Sequence, residues 1–360
     1  MMNHMTKKSL LICSISSFLF VQCRTSKVVE VAEIKEQNCI SCFQPELVNS
    51  KATCETSAIV FDGTKILIAN DKDMPDGRTS VFAILSNTIT TDTSKIVYLK
   101  NPIFKAAKKY EDFAITPNQS LIFLSTGFDR VKDNSPEWDG FNTIFYWEKG
   151  QDESPKVLSE DGKATSSVGL RKQISKVLAN EKFPEGVPYF KIEGFAATNT
   201  HLYLGVREIG ESFQNPIYVV KVIEVPYTFK SGEVSLSGAM KVIADFQPDK
   251  QVVGDVKLGL SSIEYDRFNK RFVILTSYET PENVGAYLWT ASLNDLRSNK
   301  ISIVKTSNGE PLKLTTKAED VTIVDKSTLY LINDDDRLKT KINGQTRQLN
   351  QAFYQVISLK

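Results

Sequence analysis

Short apolar runs separated by turns dominate the chain, and the clearest of them come in pairs. Residues 320–336, with the sequence DVTIVDKSTLYLINDDD, place two runs rich in β-branched and aromatic residues on either side of a turn at Asp325. Residues 57–73, with the sequence SAIVFDGTKILIANDKD, align with them without a gap and have their turn at Asp62. Two such runs around a turn of this type are typical of a β-hairpin. The pattern therefore predicts the same hairpin near both ends of the chain.

The hairpin pattern recurs in the middle of the chain. Further copies begin at Tyr110, Lys191 and Leu258, and each is followed by more β-rich runs, so that one unit holds four predicted strands. The units repeat about every fifty to eighty residues, and one strand is missing after the fifth copy. Four-stranded units that repeat around an axis are typical of a β-propeller. We therefore predict an all-β fold, a five-bladed β-propeller with six blades as the alternative, whose missing strand comes from the N-terminal arm near residues 47–50.

One segment has the periodicity of a helix instead. Residues 166–183 carry apolar side chains at Leu170, Ile174, Val177 and Leu178, which lie on one face of an α-helix. The segment falls between the second and third units and lengthens their separation. It predicts one inserted amphipathic helix that covers a face of the propeller, with a lid or partner-binding helix as the alternative.

The N-terminus has the pattern of an export signal. Lys7 and Lys8 precede an uncharged apolar stretch, residues 9–21, that is too short to span a bilayer comfortably. Cys23 follows this stretch, as the lipid-acceptor cysteine does in the bacterial lipoprotein signal peptides that it resembles. The predicted organisation is a signal peptide at residues 1–22, an arm or tether at 23–50 and the propeller at 51–360. We expect a lipid on Cys23 and a membrane-anchored protein of the cell envelope, with ordinary signal cleavage or a retained anchor as alternatives.

Composition and charge exclude some partners. The 360 residues are 41% hydrophobic and 24% charged, which is typical of a soluble globular protein. Lysine and arginine number 44 and aspartate and glutamate 43, and removal of the leader takes away two lysines and no acid. The mature chain is therefore nearly neutral and has no strong basic field, so we expect no nucleic-acid partner.

Three cysteines remain in the arm and at its junction with the propeller. Cys39, Cys42 and Cys54 have no nearby histidine and are too few for a zinc site. Because an exported protein folds under oxidising conditions, we expect a structural disulfide from Cys54 to either Cys39 or Cys42. One thiol stays unpaired in both cases.

The propeller fold would bring charged residues together on one face. The innermost strand of each blade begins on that face and the second strand returns to it, so the two ends of each hairpin meet beside the central axis; we call this face the mouth. The candidate ligand-binding residues there are Glu111, Asp112, Glu193, Arg207, Glu319, Asp320, Arg78 and Arg337. A solvated, ion-paired rim is the alternative interpretation of these charges.

Ring closure makes the first and fifth units neighbours, and both end their second run in Asn-Asp-x-Asp. This juxtaposition predicts a shared cation site formed by Asp71, Asp73, Asp334 and Asp336. Clusters of oxygen ligands without nitrogen or sulfur suit hard cations, and Ca²⁺ above all. A catalytic acid cluster is a further alternative.

Two segments resemble a known family. They are IEGFA followed by LYLGVRE, and AEDVTIV followed by LYLINDDD, in which Glu193-Gly194, Arg207, Glu319-Asp320 and Asp334 carry the resemblance. These residues are similar to those of a bacterial β-propeller family of unknown function that is related to the esterase-like phytase domain. The resemblance extends over roughly residues 55–359 and implies the propeller fold.

The residue inventory limits the chemistry. The two histidines are His4 in the leader and His201 in a predicted turn, so a Ser-His-Asp triad or a histidine-ligated zinc is excluded. Whether the protein is an enzyme is left open by the sequence. We expect a ligand- or cation-binding envelope protein with a small anionic ligand or a protein partner. The alternative is a Ca²⁺-dependent phosphoester hydrolase, phytase- or esterase-like, that uses the carboxylates and arginines of the mouth.

Overall fold

The structure of the protein is a computed structural model that describes residues 30–48, 53–132, 134–160, 162, 164–334, 341–342 and 344–360. The predicted signal peptide, the lipidation site Cys23, Asp336 and Arg337 lie outside the described residues. For Asp334 the backbone is described. In the described part of the chain, no helix is long and apolar enough to cross a membrane.

Five antiparallel sheets are arranged as the blades of a propeller, which confirms the predicted fold class. The first strand of the chain, β1, spans Ala32–Ser41 and belongs to the last blade. Blade 1 contains β2 (Thr56–Phe61), β3 (Ile66–Asn70), β4 (Val81–Ile84) and β5 (Ile96–Tyr98), and blade 2 contains β6 (Tyr110–Ile115), β7 (Leu121–Thr126), β8 (Ile144–Glu148) and β9 (Lys156–Val157). In both blades the strands pair in chain order from the axis outward.

Blades 3 and 4 each have five strands. Blade 3 contains β10 (Tyr189–Ala197), β11 (His201–Gly210), β12 (Pro216–Lys230), β13 (Glu233–Leu236) and β14 (Lys241–Phe246), and both β13 and β14 pair with the long β12. Blade 4 contains β15 (Gly259–Asp266), β16 (Arg271–Glu279), β17 (Val284–Ala291), β18 (Ser302–Ile303) and β19 (Lys313–Leu314). The fifth strand in each case pairs with a part of the third strand that the fourth leaves free.

Blade 5 closes the ring with strands from both ends of the chain. It contains β20 (Lys317–Ile323), β21 (Thr328–Asp334), β24 (Gln351–Leu359) and β1, while β22 (Lys341–Ile342) and β23 (Gln345–Thr346) form a separate hairpin. The arm does supply the missing strand, but the predicted position near residues 47–50 is wrong, because β1 lies earlier in the arm and Pro45–Leu47 is a 3₁₀ turn. As an outer edge strand, β1 is largely exposed and lacks the apolar run that marks an inner strand.

The helices are short. Within the described residues they are α1 (Ile103–Ala106), α2 (Arg171–Val177), α3 (Lys250–Val253), α4 (Leu293–Arg297) and the 3₁₀ helices Pro45–Leu47, Pro75–Gly77, Thr93–Lys95, Pro136–Phe141 and Val168–Leu170. The inserted helix is α2 with its preceding 3₁₀ turn, and Leu170, Ile174 and Leu178 pack into the core between blades 2 and 3. It is shorter than predicted and ends at Val177.

Every innermost strand carries a β-bulge at the same register. The bulged residues are Ser57, Glu111, Glu193, Ser261 and Glu319. This register makes Ser57 equivalent to Glu319, so the gapless match of Ser57 with Asp320 is wrong by one residue in the inner strand. The reason is the turn: the Asp62 N–H bonds to the Lys65 carbonyl, whereas the Val324 N–H bonds to the Thr328 carbonyl and encloses one more residue.

Backbone hydrogen bonds next to the Cys42–Cys54 disulfide attach the N-terminal arm to the last blade. Cys42 is joined to Cys54, and Cys39 on β1 is a free thiol. The Cys42 N–H donates to the Asn350 carbonyl at 2.8 Å, and the Cys54 N–H donates to the Leu349 carbonyl at 2.7 Å. The disulfide therefore holds the chain between the ring-closing strand and blade 1 against the segment that leads into β24.

Candidate functional site

The beginnings of the inner strands surround a polar cavity at the mouth. This mouth cavity encloses about 180 Å³ and is open to solvent. It is lined by the carboxyl groups of Glu55, Asp71, Glu111, Glu193 and Glu319, the lysines Lys72, Lys109, Lys191 and Lys317, and the residues Thr56 and Ser57. Its described lining is thus almost wholly charged, with both signs interspersed.

Three of the lysines occupy equivalent positions. Lys109, Lys191 and Lys317 each stand two residues before a bulged glutamate, and side chains at this spacing on a strand share a face. Lys317 Nζ lies 2.6 Å from Glu319 Oε1, and Lys191 forms an ion pair with the glutamate two residues on. Sequence reasoning missed these lysines, although the signal is visible as the repeated Lys-x-Glu in KYEDF, KIEGF and KAEDV.

Lys191 connects two blades. Its Nζ lies 3.2 Å from Oε1 of Glu111 on the neighbouring inner strand, in addition to its contact with Glu193. Burial disfavours the ammonium, but Glu111 and Glu193 outweigh that cost and raise the pKa of Lys191 well above its usual value. Lys191 is therefore a fixed cation at the wall of the mouth cavity.

The two glutamates around Lys191 have opposite protonation behaviour. Burial raises the pKa of Glu111 to about 8, because Lys191 offsets the loss of water only in part and Glu193 repels a second negative charge. Burial also disfavours the charge of Glu193, but Arg207 and Lys191 more than compensate and lower its pKa to about 2. At neutral pH, Glu111 is mainly a hydrogen-bond donor and Glu193 is an anion.

Arg207 places a cation beside blade 4, whose bulged residue is Ser261 instead of a glutamate. It is 2% exposed, and its Nη1 lies 3.0 Å from Glu193 Oε2. The same nitrogen donates to Ser261 Oγ at 3.0 Å and to Ser277 Oγ at 2.9 Å, both in blade 4. A Cβ on Gly259 would lie 2.8 Å from Arg207 Cγ, so the glycine leaves the space that the arginine fills.

Below the mouth cavity, two aspartates from opposite sides of the ring meet at the axis. Asp112 and Asp320 are 1% and 0% exposed, and their carboxyl groups hydrogen-bond to each other. Asp320 accepts from the Ile59 N–H at 2.6 Å and from Ser262 Oγ at 2.7 Å, and Asp112 Oδ2 accepts from the Phe195 N–H at 2.7 Å. This axial pair therefore connects the inner strands of all five blades.

The axial pair holds a proton at neutral pH. Burial raises the pKa of Asp112 well above its usual range, and the charge of Asp320 raises it further. Burial raises the pKa of Asp320 to about 7, although its hydrogen bonds work in the opposite direction. Two carboxyl groups in contact cannot both be ionised in a dry site, so they share one proton. Glu264, 2% exposed, likewise has a pKa raised by burial and by Asp320.

The candidate ligand-binding residues from the sequence separate into three groups. Glu111, Glu193 and Glu319 line the mouth cavity. Arg207 lies behind Glu193, and Asp112 and Asp320 form the axial pair below.

Arg78 lies elsewhere. Its guanidinium stacks on the Tyr98 ring, 5.0 Å from the ring centre, and lines a neighbouring cavity rather than the mouth cavity. The 3₁₀ turn at Pro75–Gly77, which precedes it, carries the chain to that cavity. Arg337 is outside the described residues.

The predicted cation ligands do not all lie in one cavity. Asp71 lines the mouth cavity, and its Oδ1 is buried with no hydrogen-bond partner within the described residues. Asp73 lines the neighbouring cavity, where its Oδ1 is 2.7 Å from Lys108 Nζ. The described part of the chain holds no group of three or more His, Cys, Asp or Glu residues arranged to bind a metal. Because Asp336 and the side chain of Asp334 are not described, the shared calcium site stays a prediction.

The comparisons with known proteins return structural likenesses at low sequence identity. No protein-family model matches the sequence, and no curated protein matches it. A DUF4623 family protein from Bacteroides eggerthii is 11% identical with a TM-score of 0.41, over 92% of this chain and 77% of that chain. The α-L-arabinofuranosidase of Podospora anserina, solved with cellotriose, is 9% identical with a TM-score of 0.41, over 92% and 96%. A thermostable family-43 glycoside hydrolase is 8% identical with a TM-score of 0.42, over 88% and 96%.

Proposed function

We propose that this protein is an exported, lipid-anchored β-propeller of the bacterial cell envelope that binds a small anionic ligand in its mouth cavity. The observation that carries the proposal is the set of lysines that the repeated Lys-x-Glu strands direct into one cavity of about 180 Å³. This volume is below that of pockets for drug-sized ligands and favours an anion as small as phosphate, sulfate or a short carboxylate.

The charges of the mouth cavity favour an anion once protonation is included. Its described lining has five carboxyl groups and four lysines, and Arg207 adds a fifth cation behind Glu193. With a proton on Glu111, the four other carboxylates of the lining balance its four lysines, and Arg207 adds one positive charge. Asp129, 3.7 Å from Lys109, is paired with Arg130 at 2.8 Å and leaves this balance unchanged. The side chains of Lys109 and Lys317 are 29% and 19% exposed and can reach a ligand. The protonated Glu111 supplies a further donor.

Location in the cell envelope rests on the leader and is supported by the disulfide. The basic, apolar, cysteine-ended segment at residues 1–23 fits a lipoprotein signal, and the Cys42–Cys54 bond fits an oxidising compartment. Expressed in its host, the protein should partition into detergent, and a Cys23→Ser variant should not. Aqueous partitioning of the unaltered protein would contradict the anchor.

The ligand proposal is tested with a panel of small anions. We expect phosphate, sulfate or a small carboxylate to raise the melting temperature of the mature domain, since a ligand that binds only the folded state stabilises it. Lys317→Gln and Lys109→Gln should each reduce the shift, whereas Lys172→Gln, which removes a charge from the exposed side of α2, should not. If no member of the panel shifts the melt, or if all three variants behave alike, anion binding in the mouth cavity is wrong.

The phosphoester hydrolase remains the second candidate, because the lysines and Arg207 that would bind an anion would also neutralise a phosphate ester. Within the part of the chain that the structure describes, Asp71 Oδ1 has no hydrogen-bond partner and fits a calcium ligand, while Asp73, paired with Lys108, fits less well. A bound Ca²⁺ would supply charge neutralisation at the phosphate. Release of phosphate from a phosphomonoester that depends on Ca²⁺ and is lost in Lys191→Gln would favour the hydrolase. If no phosphate is released, the hydrolase candidate is wrong and anion binding is the function that is left.

A further inference from the structure

A second cavity lies beside the mouth, between blades 1 and 2. It encloses about 280 Å³ and is formed by the β3–β4 loop on one side and by α1 with the residues after it on the other. We call it the interblade cavity. The residues that define it are Met74, Gly77, Arg78, Phe104, Lys105 and Lys108.

The rim of the interblade cavity is cationic. Arg78, Lys105 and Lys108 face a single lining carboxylate, Asp73, which is paired with Lys108 at 2.7 Å. Within the described residues, Lys105 has no ion-pair partner, and Arg78 reaches only Asp76, at 3.5 Å. An ion pair at that distance on the surface contributes little. Among the described residues, the cavity therefore has one cation without a carboxylate partner, Lys105, and one that is weakly paired, Arg78.

The arginine of this rim is held in place. Its guanidinium lies over the Tyr98 ring at 5.0 Å, and the Tyr98 hydroxyl in turn donates to the carbonyl of Cys42. Stacking on an aromatic ring fixes the plane of a guanidinium, and an incoming oxyanion would compete with Asp76 Oδ2, 3.5 Å from Nη2, for its edge nitrogens. Arg78 is thus oriented before any ligand arrives.

The floor of the cavity is apolar. The side chains of Phe104, Met74 and Ala107 are buried beneath the rim. Gly77, at φ +64°, faces the open side, where an added Cβ would lie 3.9 Å from Lys105 Nζ. A residue with a side chain there would narrow the space between Arg78 and Lys105.

We propose that the interblade cavity binds an organic anion, a carboxylate or phosphate monoester attached to a small apolar body. The oxyanion would lie between Arg78 and Lys105, and the apolar body would contact Phe104 and Met74. This site is separate from the mouth cavity, and the proposal does not depend on the ligand proposed there.

Calorimetric titration of the mature domain with phenyl phosphate and with benzoate tests the proposal, and the two probes distinguish the two kinds of oxyanion. We expect at least one to bind with a dissociation constant between about 1 μM and 1 mM, and inorganic phosphate or benzyl alcohol to bind at least tenfold more weakly. No heat at about 10 mM of either probe, or equal affinity for inorganic phosphate, would overturn the proposal.

Variants assign the binding to this cavity. Arg78→Gln and Lys105→Gln should each weaken binding about tenfold, which is the effect of losing one charge-assisted hydrogen bond. Gly77→Asn, which tolerates the positive φ, should weaken binding by filling the entrance. The control Lys172→Gln and the mouth variant Lys317→Gln should bind the probe like the unaltered protein. Loss of binding in Lys317→Gln alone would place the probe in the mouth and contradict the interblade site.

Discussion

Replacement of Asp112 by asparagine should change how the stability of the protein depends on pH. In the unaltered protein, Asp112 and Asp320 share a buried proton at the axis, and the pKa of Asp320 is raised to about 7. In the unfolded chain an aspartate has a pKa of about 3.9. Burial and the charge of Asp320 raise the pKa of Asp112 well above that of a free aspartate, so from about pH 5 to pH 7 Asp112 is neutral in the folded protein and ionised in the unfolded chain. Asp112 alone therefore adds one bound proton to the native state in this range. Stability from this pair is therefore fully present below the unfolded pKa and is lost as the pH rises through the folded pKa.

The magnitude follows from that proton count. One excess proton lowers the free energy of unfolding by about 1.4 kcal/mol for each unit of pH. In the variant, the amide oxygen of residue 112 can accept the Phe195 N–H that now bonds to Asp112 Oδ2, and the amide N–H can donate to Asp320. Asp320 keeps its bonds from Ile59 and Ser262, and burial raises its pKa in both proteins, so the variant lacks only the buried proton of Asp112. From about pH 5 to pH 7 the variant should gain about 3 kcal/mol relative to the unaltered protein.

Urea unfolding of both proteins at several pH values in this range measures the effect as a change of midpoint at constant slope. Glu264 and Glu111, whose pKa values are also raised, add the same slope to both proteins, so the difference isolates the axial pair. Asp76→Asn is the matched control, because it makes the same substitution at an exposed carboxylate. Its free energy of unfolding should depend on pH in the same way as that of the unaltered protein. A constant difference between Asp112→Asn and the unaltered protein across the pH range would refute the shared proton.

Three further changes test other parts of the structure. Arg207→Met should lower the free energy of unfolding by about 1.5–3 kcal/mol, because it removes one cation that compensates the buried charge of Glu193 and leaves Lys191 in contact with it, and Glu193→Gln added to it should restore part of the loss in the same urea assay. Cys54→Ser should cost about 2–4 kcal/mol under oxidising conditions, while Cys39→Ser should cost much less, and equal losses would contradict the observed pairing. Ca²⁺ at about 100 times its dissociation constant should add about 2.7 kcal/mol of stability that Asp71→Asn abolishes, and an unchanged melt of chelator-treated protein would remove the calcium site.

The blades could be predicted from the sequence because each inner hairpin places two apolar runs around a turn, and burial on both faces makes those runs continuous. The ring-closing strand could not be placed, since Ala32–Ser41 lies at an edge where only part of one face is covered and polar residues are tolerated. The inserted helix was visible through Leu170 and Ile174, whose burial follows from their spacing.

The sequence predicted which strand ends meet at the candidate site, but it did not predict which side chains form ion pairs or hydrogen bonds there. Glu111 and Glu193 were located by their place at the start of the hairpin, whereas the role of Lys191 depends on a contact between neighbouring blades. The axial pair depends on the bulge, which lets the residue after each bulged glutamate reach the axis, and a bulge leaves no mark in the apolar pattern. The one-residue error in the match of Ser57 with Asp320 has a different cause, the longer turn of the last hairpin.

The affinity of the mouth cavity for a small anion, measured by calorimetry at about pH 6 and about pH 9, tests the central claim most directly. Glu111 lies in the lining with a pKa raised to about 8, so it is a neutral donor at the lower pH and an anion at the higher one. Sulfate, whose own charge is the same at both pH values, should bind about tenfold more weakly at the higher pH, and Glu111→Gln should remove most of that dependence. Equal affinity at both pH values, or the same dependence in Glu111→Gln, would contradict an anion-binding mouth.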